Sequence, residues 1–367
     1  MLDINKIRAE IDEIDESMTK LFERRMVVSE QVAAYKRENG LPTLNPEREK
    51  IVIQKAADGL ENKDFVPYVT KFYECLMNLS KDYQRSINNT KVSIGFQGIK
   101  GSFSHEACIS YIEQNENGCS YDIKSYETFD SLCLALLNDE ISQAVIPFEN
   151  SSTGPVIDVY DLLLSYDYSI VGEICVRVNQ NLMAKDGVKI SDIKEVYSHS
   201  QAFMQSKEFL DNHSFKQIPY KNTAISAEFV SKSERRDIAC IASEKAAELY
   251  GLKILEHNIN YNKNNYTKFI ILSKTPRVNE RNNKISLVTR LDNTPGQLYK
   301  LTKLFSDHNI NMVKIESRPD ISNPFEYMFF IDFIGNIADE NVAKVLEEIK
   351  SANRYFKYLG NYEKYEF

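Results

Sequence analysis

The stretch GFQGIKGSFSHEA, residues 95–107, follows a short β-branched run and carries three glycines ahead of a predicted helix. A glycine-rich turn after a strand often binds a dinucleotide, but that fingerprint requires the spacing G-x-G-x-x-G. The glycines here are Gly95, Gly98 and Gly101, so the fingerprint is absent. Two interpretations remain: a turn whose free N–H groups suit a small anion, or a plain strand-to-helix turn with Ser104 as the N-cap.

The residues around this stretch, from Val92 to Ser273, alternate short apolar runs with helical patterns. This alternation predicts a two-lobed α/β domain over residues 91–275. Helices are predicted at SHEACISYIEQ, SQAFMQSKEFL and SEKAAELYG. Strands are predicted at VSIGF, QAVIPFE, SIVGEICVRV, EVYSH, KQIPY, DIACIAS and KFIILS.

The first ninety residues contain three predicted helices and almost nothing else. Apolar side chains recur at helical spacing from Ile4 to Tyr35, and further helices are predicted at 46–57 and 64–87. The first helix would be roughly 50 Å long, too long to bury its apolar seam against two short partners. We therefore expect residues 1–88 to form an all-α, three-helix unit that pairs with a second chain as an intertwined dimer.

The residues after the polar link at 275–284 follow the order strand, helix, strand, strand, helix, strand. The apolar runs are ISLVTRLD, NMVKIESR and FEYMFFIDF, with a closing strand near Tyr355. This order predicts an α+β, ferredoxin-like unit of βαββαβ topology over residues 284–362. The chain is therefore predicted to be multidomain.

Composition narrows the functional classes. A net charge of −8 argues against nucleic-acid binding, and no apolar run approaches the roughly 18 residues of a membrane span. The six cysteines form no C-x-x-C pair and the five histidines are scattered, so no metal site is expected. The N-terminus is charged from its third residue and has no apolar signal region. We expect a cytoplasmic protein with reduced thiols.

Arg25 falls in the apolar seam of the first helix. An arginine there is either part of a buried ion pair or a ligand-binding group. Lys36 lies eleven residues later on nearly the same face, so both side chains could reach one ligand. Arg8 lies seventeen residues before Arg25, roughly 25 Å away, and could join that ligand only from a second subunit.

Residues 3–87 resemble the all-helical chorismate mutase family in their helices and in the spacing of their polar residues. In that family a dimer shares its long helices and supplies one arginine in trans. Asn45 stands where an aspartate is common. The resemblance implies a chorismate site made of Arg25, Lys36, Arg48, Glu49, Ser80 and Gln84 of one chain with Arg8 of the partner subunit.

The chemistry of chorismate rearrangement fits these residue types. The reaction is intramolecular, so the site needs no nucleophile and must hold a dicarboxylate in a compact conformation. The resemblance implies that the arginines hold the carboxylates, that Lys36 and Gln84 face the ether oxygen, and that Glu49 holds the ring hydroxyl.

Three more stretches place polar residues at the end of an apolar strand, where α/β folds bind ligands. They are IPFENSSTGPVIDVYDLL (146–163), YSHSQAFMQSKEFL (197–210) and NYTKFIILSK (265–274). Singly, each is more consistent with loop capping than with a ligand site. Together with GSFSHEA, residues 101–107, they resemble prephenate dehydratase over residues 91–275 in order and spacing. The resemblance implies a pocket for anionic prephenate and no dinucleotide.

The same resemblance implies roles for single residues. Thr267 is the candidate group at the leaving ring hydroxyl, and His199 either supplies its proton or is a structural hydrogen-bonding residue. Lys268 stands where the family usually has arginine. The implied catalytic residues are Asn150, Ser198, Gln205 and Thr267, and the implied substrate-binding residues are Ser102, Phe103, Ser104, Glu149, Lys268 and Phe269.

The C-terminal unit resembles an ACT domain, a small-molecule sensor, through NTPGQLYKL and KIESRPD. The alternative is a ferredoxin-like docking domain without a ligand. Gln297 replaces the alanine that is usual in the family. The resemblance implies that phenylalanine binds between two such domains, at Pro295, Gly296, Gln297, Leu298, Glu316, Ser317, Arg318 and Pro319.

The three resemblances together imply a bifunctional enzyme of phenylalanine biosynthesis, subject to feedback by phenylalanine. It would rearrange chorismate to prephenate and then convert prephenate to phenylpyruvate, without a cofactor. Two alternatives stay open: a dehydratase whose helical unit is only a dimerisation arm, and a small-molecule sensor without catalytic activity.

Overall fold

The computed structural model describes residues 3–38, 46–87, 92–115, 120–277, 279–320, 323 and 325–366. The chain divides into two compact units, Met1–Val92 with Glu116–Tyr121 and Ser93–Asn115 with Asp122–Phe367. Over the described ranges, no helix is both long and apolar enough to cross a membrane. The same ranges contain no group of three or more His, Cys, Asp or Glu side chains placed to hold a metal ion.

The three predicted helices of the first unit are confirmed. Helix α3 is preceded by a 3-10 turn that begins after the N-cap Asn62, whose side chain accepts from the Asp64 amide. The predicted end of the first helix at 39–42 lies outside the described residues. The helices are α1 (Ile4–Glu38), α2 (Pro46–Asp58) and α3 (Val66–Ile87).

Helix α1 buries little of its seam within one chain. Ala33 on α1 is buried, as are Leu76 and Met77 on α3. Elsewhere on α1, apolar side chains of the seam are 42–64% exposed, which is far more contiguous apolar surface than single scattered residues would give. They are Ile4, Ile11, Ile14, Met18, Leu21, Val28, Val32 and Tyr35.

The first lobe of the α/β domain is built on a sheet of order β2-β1-β3-β11-β5, with β4 paired to β3. β1 runs parallel to β3, whereas β11 is antiparallel to both β3 and β5. Its strands are β1 (Val92–Gln97), β2 (Tyr121–Tyr126), β3 (Gln143–Asn150), β4 (Gly154–Pro155), β5 (Ser169–Arg177) and β11 (Tyr266–Ser273), and its helices are α4 (Phe103–Gln114), α5 (Phe129–Leu137) and α6 (Ile157–Ser165).

The second lobe is built on a sheet of order β10-β6-β9-β7-β8. The chain enters it after β5 and leaves it before β11, so the predicted two lobes are confirmed. Strands β2, β6 and β10 were not predicted. The lobe contains β6 (Asn181–Ala184), β7 (Glu195–Ser198), β8 (Lys216–Pro219), β9 (Ile238–Ala242), β10 (Lys253–Glu256), α7 (Ser200–Gln205), α8 (Lys207–Asp211), α9 (Thr223–Lys232) and α10 (Glu244–Tyr250).

The C-terminal domain has the predicted βαββαβ order around a sheet of order β13-β14-β12-β15. One face of this sheet packs on its own two helices through residues such as Leu287 and Phe305. The other face contributes Phe330 and Tyr362 to the core of the first lobe. The elements are β12 (Lys284–Arg290), α11 (Gln297–Asp307), β13 (Met312–Pro319), β14 (Tyr327–Ile334), α12 (Glu340–Ala352) and β15 (Tyr355–Tyr362).

Strand β15 lies against β5 of the first lobe at very short range. Gly360 has φ +154°, and a Cβ atom there would lie 2.2 Å from the carbonyl oxygen of Ile170. No other residue type fits at that distance without backbone movement, so glycine is required where the two domains meet.

A buried ion cluster joins the same two domains. Lys284 Nζ on β12 lies 2.7 Å from Glu173 Oε2 on β5 and 3.1 Å from Asp332 Oδ2 on β14, and all three side chains are at most 5% exposed. Ser286 Oγ donates to Asp332 Oδ1 at 2.6 Å. Burial disfavours the Lys284 ammonium, but the Tyr362 oxygen and the two carboxylates outweigh burial and raise the pKa of Lys284.

The Lys284→Met substitution tests how far this cluster stabilises the fold. Two carboxylates would be left buried without their cation, which costs about 3–5 kcal/mol of unfolding free energy. Urea denaturation followed by tyrosine fluorescence measures the change, because the chain has no tryptophan.

Lys274→Met is the matched control, since Lys274 pairs with Asp139 at 2.7 Å while it is 38% exposed. Loss of that surface pair should cost at most about 1 kcal/mol. Equal losses for the two variants would contradict a stabilising role for the buried cluster.

Candidate active sites

In the helical unit the structure brings together Arg25 of α1 and Ser80 of α3. Arg25 Nη1 donates to Ser80 Oγ and, at 3.3 Å, to the Leu76 carbonyl oxygen. Ser80 is 5% exposed and donates to the same carbonyl at 2.8 Å. Burial lowers the pKa of the Arg25 guanidinium below its ordinary value. Arg25 therefore points at α3 without a carboxylate partner among these contacts, as a residue that binds an anion would.

The other predicted mutase residues differ in how exposed their side chains are. Lys36 and Glu49 are half-buried, whereas Arg48 and Arg8 are exposed. Gln84 belongs to α3, but its side chain lies outside what the structure describes, as does all of Asn45. The roles of these residues stay predictions.

In the α/β domain, pairing of β3 with β11 places Asn150 opposite Thr267. Asn150 is 8% exposed, and its Nδ2 donates to Thr267 Oγ1 at 2.9 Å and to Asn265 Oδ1 at 2.8 Å. Its Oδ1 accepts from the amides of Ser152 and Thr153 at 2.9 and 3.0 Å. Because Thr267 Oγ1 is an acceptor here, its own hydrogen is directed away from Asn150 and is available to a ligand.

A polar chain extends this pair toward the second lobe. Thr153 Oγ1 donates to Asn150 Oδ1 at 3.2 Å and accepts from Gln201 Nε2 at 3.2 Å. Gln201 follows His199, the N-cap of α7, whose Nδ1 accepts from the Gln201 amide. Nδ1 is therefore unprotonated in this geometry, and a neutral His199 ring carries its proton on Nε2.

Thr153 and Gln201 were missed by the sequence analysis. Both lie inside the stretches that carried the resemblance, but only the tertiary structure shows that the two stretches meet.

The other two predicted catalytic residues are engaged within the second lobe. Ser198 Oγ is fully buried and donates to the Ile241 carbonyl oxygen at 2.7 Å. Gln205 is 6% exposed, and its Oε1 accepts from Gln180 Nε2 at 3.2 Å. Direct contact of either residue with substrate stays a prediction.

The opening stretch contains one error of prediction. Helix α4 begins at Phe103, and its N-cap is Ser102, whose Oγ accepts from the His105 amide; Ser104 lies inside the helix and is buried. Ser102 takes the capping position because its extended backbone turns its hydroxyl toward the first free amides. The helix therefore starts two residues earlier than a Ser104 cap would place it.

The loop before α4 is held by the second lobe. Ser243 Oγ donates to the Gly101 carbonyl at 3.1 Å, and the Tyr250 hydroxyl donates to the Lys100 carbonyl at 2.9 Å. Gly101 has φ +86°, and a Cβ atom there would press on Ala246 at 3.3 Å. Beside this loop, Phe103, Arg177 and Lys245 line a cavity of about 120 Å³ together with Glu106, Asn179, Ser243, Glu244 and Glu248.

Glu149 and Lys268 point away from the Asn150–Thr267 pair, whereas Phe269, two residues from Thr267 on β11, lies on the same face of the strand as Thr267. Lys268 shares its face of β11 with Ile270 and Leu272, which are buried in the core beneath the C-terminal sheet, because alternate residues of a strand face the same side. Glu149 Oε2 lies 3.5 Å from Lys268 Nζ. Phe269 is 1% exposed. Their proposed contacts with substrate stay predictions.

Glu149 has a second cationic partner, Lys314 on β13, whose Nζ lies 2.9 Å from Glu149 Oε2. Burial opposes ionisation of Glu149, but the hydrogen bonds and charges of Lys314 and Lys268 outweigh burial. The pKa of Glu149 is therefore lowered, and the carboxylate stays ionised at neutral pH.

The predicted regulatory residues lie in two places on the C-terminal domain. Gly296 has φ +83° and caps α11, where Gln297 Nε2 donates to Thr294 Oγ1 at 2.7 Å. Arg318 Nη2 lies 3.8 Å from Asp161 Oδ1 on α6. Around Gly296 are Pro295, Gln297 and Leu298, and on edge strand β13 are Glu316, Ser317, Arg318 and Pro319.

Comparison with known proteins follows the same three divisions. Residues 7–85 match the family model described as chorismate mutase type II, residues 94–277 match prephenate dehydratase, and residues 285–351 match the ACT domain.

Curated relatives match over nearly the whole chain. A bifunctional chorismate mutase/prephenate dehydratase of Buchnera aphidicola is 32% identical over 97% of this chain and 95% of its own. The protein of the same description from Aquifex aeolicus is 30% identical over 99% of both chains. Among solved structures, prephenate dehydratase from Arthrobacter aurescens in complex with L-Phe matches with a TM-score of 0.66 and 26% identity, over 74% of this chain and 90% of its own.

The fold and the sites thus define an enzyme with a helical mutase domain, an α/β dehydratase domain and a C-terminal ACT domain. The chain belongs to the bifunctional chorismate mutase/prephenate dehydratase family.

The Asn150→Asp substitution tests the Asn150–Thr267 contact. A carboxylate of the same shape cannot donate to Thr267, so the threonine hydrogen turns toward it and away from the ligand. We expect kcat for formation of phenylpyruvate from prephenate to fall about 10²–10³-fold, as when one donor at a reacting centre is lost. Ultraviolet absorbance of phenylpyruvate measures this.

Asn212→Asp is the matched control, because the exposed Asn212 side chain donates only to the Glu208 carbonyl in its own helix region. It should leave dehydratase turnover unchanged. A dehydratase rate in the Asn150 variant equal to that of the control would contradict the role given to the pair.

Proposed function

We propose that this chain converts chorismate to prephenate in its helical unit and prephenate to phenylpyruvate in its α/β domain, with feedback inhibition by phenylalanine. Relatives that match over nearly the whole chain support both activities. The contact between Asn150 Nδ2 and Thr267 Oγ1 is the observation that carries the dehydratase assignment. The cytoplasm is the proposed location, in keeping with free thiols at every described cysteine.

In the proposed dehydratase step, Thr267 donates its hydrogen to the leaving ring hydroxyl of prephenate. The bond from the ring to its carboxylate breaks and releases carbon dioxide, and that electron pair forms the new ring π bond. The ring C–O bond breaks as the hydroxyl takes up a proton and leaves as water. One proton is consumed for each prephenate, and Asn150 holds the threonine oxygen throughout.

A threonine hydroxyl is too weak an acid to release its proton outright near neutral pH. A second group must therefore deliver a proton to the threonine oxygen as the hydroxyl donates its own. His199 is the proposed source in its imidazolium form: the ring takes up a proton from water, passes one proton to the threonine oxygen and returns to the neutral form. Ser198, Gln205 and the turn at Ser102, Phe103 and Ser104 complete the proposed pocket wall. Glu149 and Lys268 support that wall from the opposite face, and Phe269 lies on the face of Thr267.

In the proposed mutase step, no bond to the enzyme forms. Arg25, fixed against Ser80, binds one carboxylate of chorismate. Lys36 and Gln84 donate to the ether oxygen as its C–O bond breaks, Glu49 holds the ring hydroxyl, and Arg48 completes the charge balance. Preorganised donors of this kind stabilise the charge that develops in the transition state without reacting themselves.

The mutase site requires a second chain in this proposal. The exposed apolar seam of α1 is the surface that an intertwined homodimer would bury. Arg8 is too far along α1 from Arg25 to reach the same ligand, roughly 25 Å at 1.5 Å per residue, so Arg8 of the partner subunit completes the site.

Phenylalanine is the proposed effector. The structure of Arthrobacter aurescens prephenate dehydratase with L-Phe supports this effector. The segments NTPGQLYKL and KIESRPD of the ACT domain support it as well. Binding is proposed at the turn of Pro295, Gly296, Gln297 and Leu298 and at Glu316, Ser317, Arg318 and Pro319 of β13.

The Arg25→Ala substitution separates the two activities. It removes the cation that binds a carboxylate, so kcat/KM for chorismate should fall about 10²–10³-fold, while prephenate turnover stays within about twofold of wild type. Arg24→Ala, one residue away and exposed, is the control. Mutase activity in the Arg25 variant equal to that of the control would contradict the role given to Arg25, whereas absence of mutase activity in the wild-type protein would support the dimerisation-arm alternative.

Mixing two inactive variants tests the shared site. Arg8→Ala and Arg25→Ala homodimers should each lack mutase activity. A heterodimer would hold one site with both defects and one with neither, so an equal mixture refolded together should recover about a quarter of the wild-type rate. No recovery would mean that both arginines belong to one chain's site.

A further inference from the structure

Lys314 is a residue of the ACT domain whose ammonium group lies against the dehydratase domain. Its Nζ is 2.9 Å from Glu149 Oε2, and its side chain is 11% exposed. The same ammonium lies 4.5 Å from the centroid of the Phe148 ring and 5.4 Å from that of Tyr160. The charge, the two rings and the burial fix this side chain in place.

The carboxylate that Lys314 contacts belongs to the strand pair of the dehydratase site. Glu149 also pairs with Lys268 at 3.5 Å, and the two residues are register partners across β3 and β11. Asn150 and Thr267 are the next register partners along the same two strands. The Glu149–Lys268 ion pair and the Asn150–Thr267 pair are therefore adjacent in the backbone and lie on opposite faces of the sheet.

We propose that Lys314 is a positioning residue for the dehydratase reaction: through Glu149 and Lys268 it holds the β3–β11 pair that sets Asn150 against Thr267. This inference rests on the proposed function of that pair. A displacement of β13 changes the distance from Lys314 to Glu149, and the strand pair transmits that change to the Thr267 hydroxyl. Lys314 thereby links the effector domain to the dehydratase chemistry.

Strand β13 is the strand of this domain best placed to move. It is the edge strand of its sheet, and it carries Glu316, Ser317 and Arg318 of the proposed effector site. At the opposite edge, β15 is fixed to β5 by the close approach of Gly360 to Ile170.

Some buried polar groups beneath β13 lack hydrogen-bond partners among the described residues. The Tyr160 hydroxyl and Arg318 Nε are buried and make no hydrogen bond to any described residue. Arg318 Nη2 remains 3.8 Å from Asp161 Oδ1. A displacement of β13 would change the surroundings of both groups.

Substitution of Lys314 by methionine in the full-length protein tests the proposal. We expect kcat/KM for prephenate to fall about tenfold and the phenylalanine concentration for half-inhibition to rise at least about fivefold, within the usual range of coupling between sites. Calorimetric titration should still show phenylalanine binding, and chorismate mutase turnover should match wild type. Lys314→Arg should restore both dehydratase values to within about twofold, since it keeps the charge.

Lys357→Met is the matched control for loss of domain docking. Lys357 on β15 is also half-buried and also reaches the dehydratase domain, where Nζ donates to the Tyr166 carbonyl at 2.6 Å, but it does not contact Glu149. We expect wild-type kinetics and inhibition. In a Glu149→Gln background, Lys314→Met should cause no further change in dehydratase kinetics, because the ion pair between residues 149 and 314 is already lost.

Three results overturn the inference: wild-type kinetics in Lys314→Met, equal defects in Lys357→Met, or fully additive defects of the Glu149 and Lys314 variants. The last two would mean that Lys314 only stabilises docking. Absence of prephenate turnover in the wild-type protein would instead refute the proposed function, and the inference with it.

Discussion

The antiparallel pairing of β3 with β11 is the constraint on which the rest of the dehydratase domain depends. The two strands are more than a hundred residues apart in the chain, and the whole second lobe is formed between them. Their register sets Asn150 opposite Thr267 and Glu149 opposite Lys268. A slip by one residue would turn every side chain to the other face and separate both pairs.

The two faces of this strand pair serve different purposes. One presents a threonine hydroxyl whose hydrogen is directed away from Asn150. The other carries a carboxylate shared between Lys268 and Lys314, above a core that extends into the ACT sheet. In the proposal that Lys314 positions this strand pair, these two faces are what connect the ACT domain to the reacting groups.

Sequence reasoning predicted the long helices and the apolar strands well, since their periodic patterns extend over many residues. Strands β6 and β10 have four residues each and were missed, whereas β7 and β8 of the same length were predicted from their β-branched and aromatic residues. The resemblance implied a substrate contact for Lys268, which stands where the family usually has arginine. Strand alternation turns Lys268 to the face opposite Thr267, where it pairs with Glu149, and its contact with substrate stays a prediction. Lys314, the second cation on Glu149, lies forty-six residues beyond Lys268 in another domain, and no local pattern could place the two lysines on one carboxylate. Ser102 and Ser104 both suit an N-cap, and only the backbone conformation selects Ser102.

The central claim is that one chain performs two consecutive reactions on chorismate without an added cofactor. The most direct measurement gives purified protein chorismate alone and follows chorismate, prephenate and phenylpyruvate together by chromatography over time. The account predicts that chorismate disappears, that prephenate rises and falls, and that phenylpyruvate accumulates. Persistence of chorismate while added prephenate is consumed would contradict the mutase site, and persistence of both compounds would contradict the account as a whole.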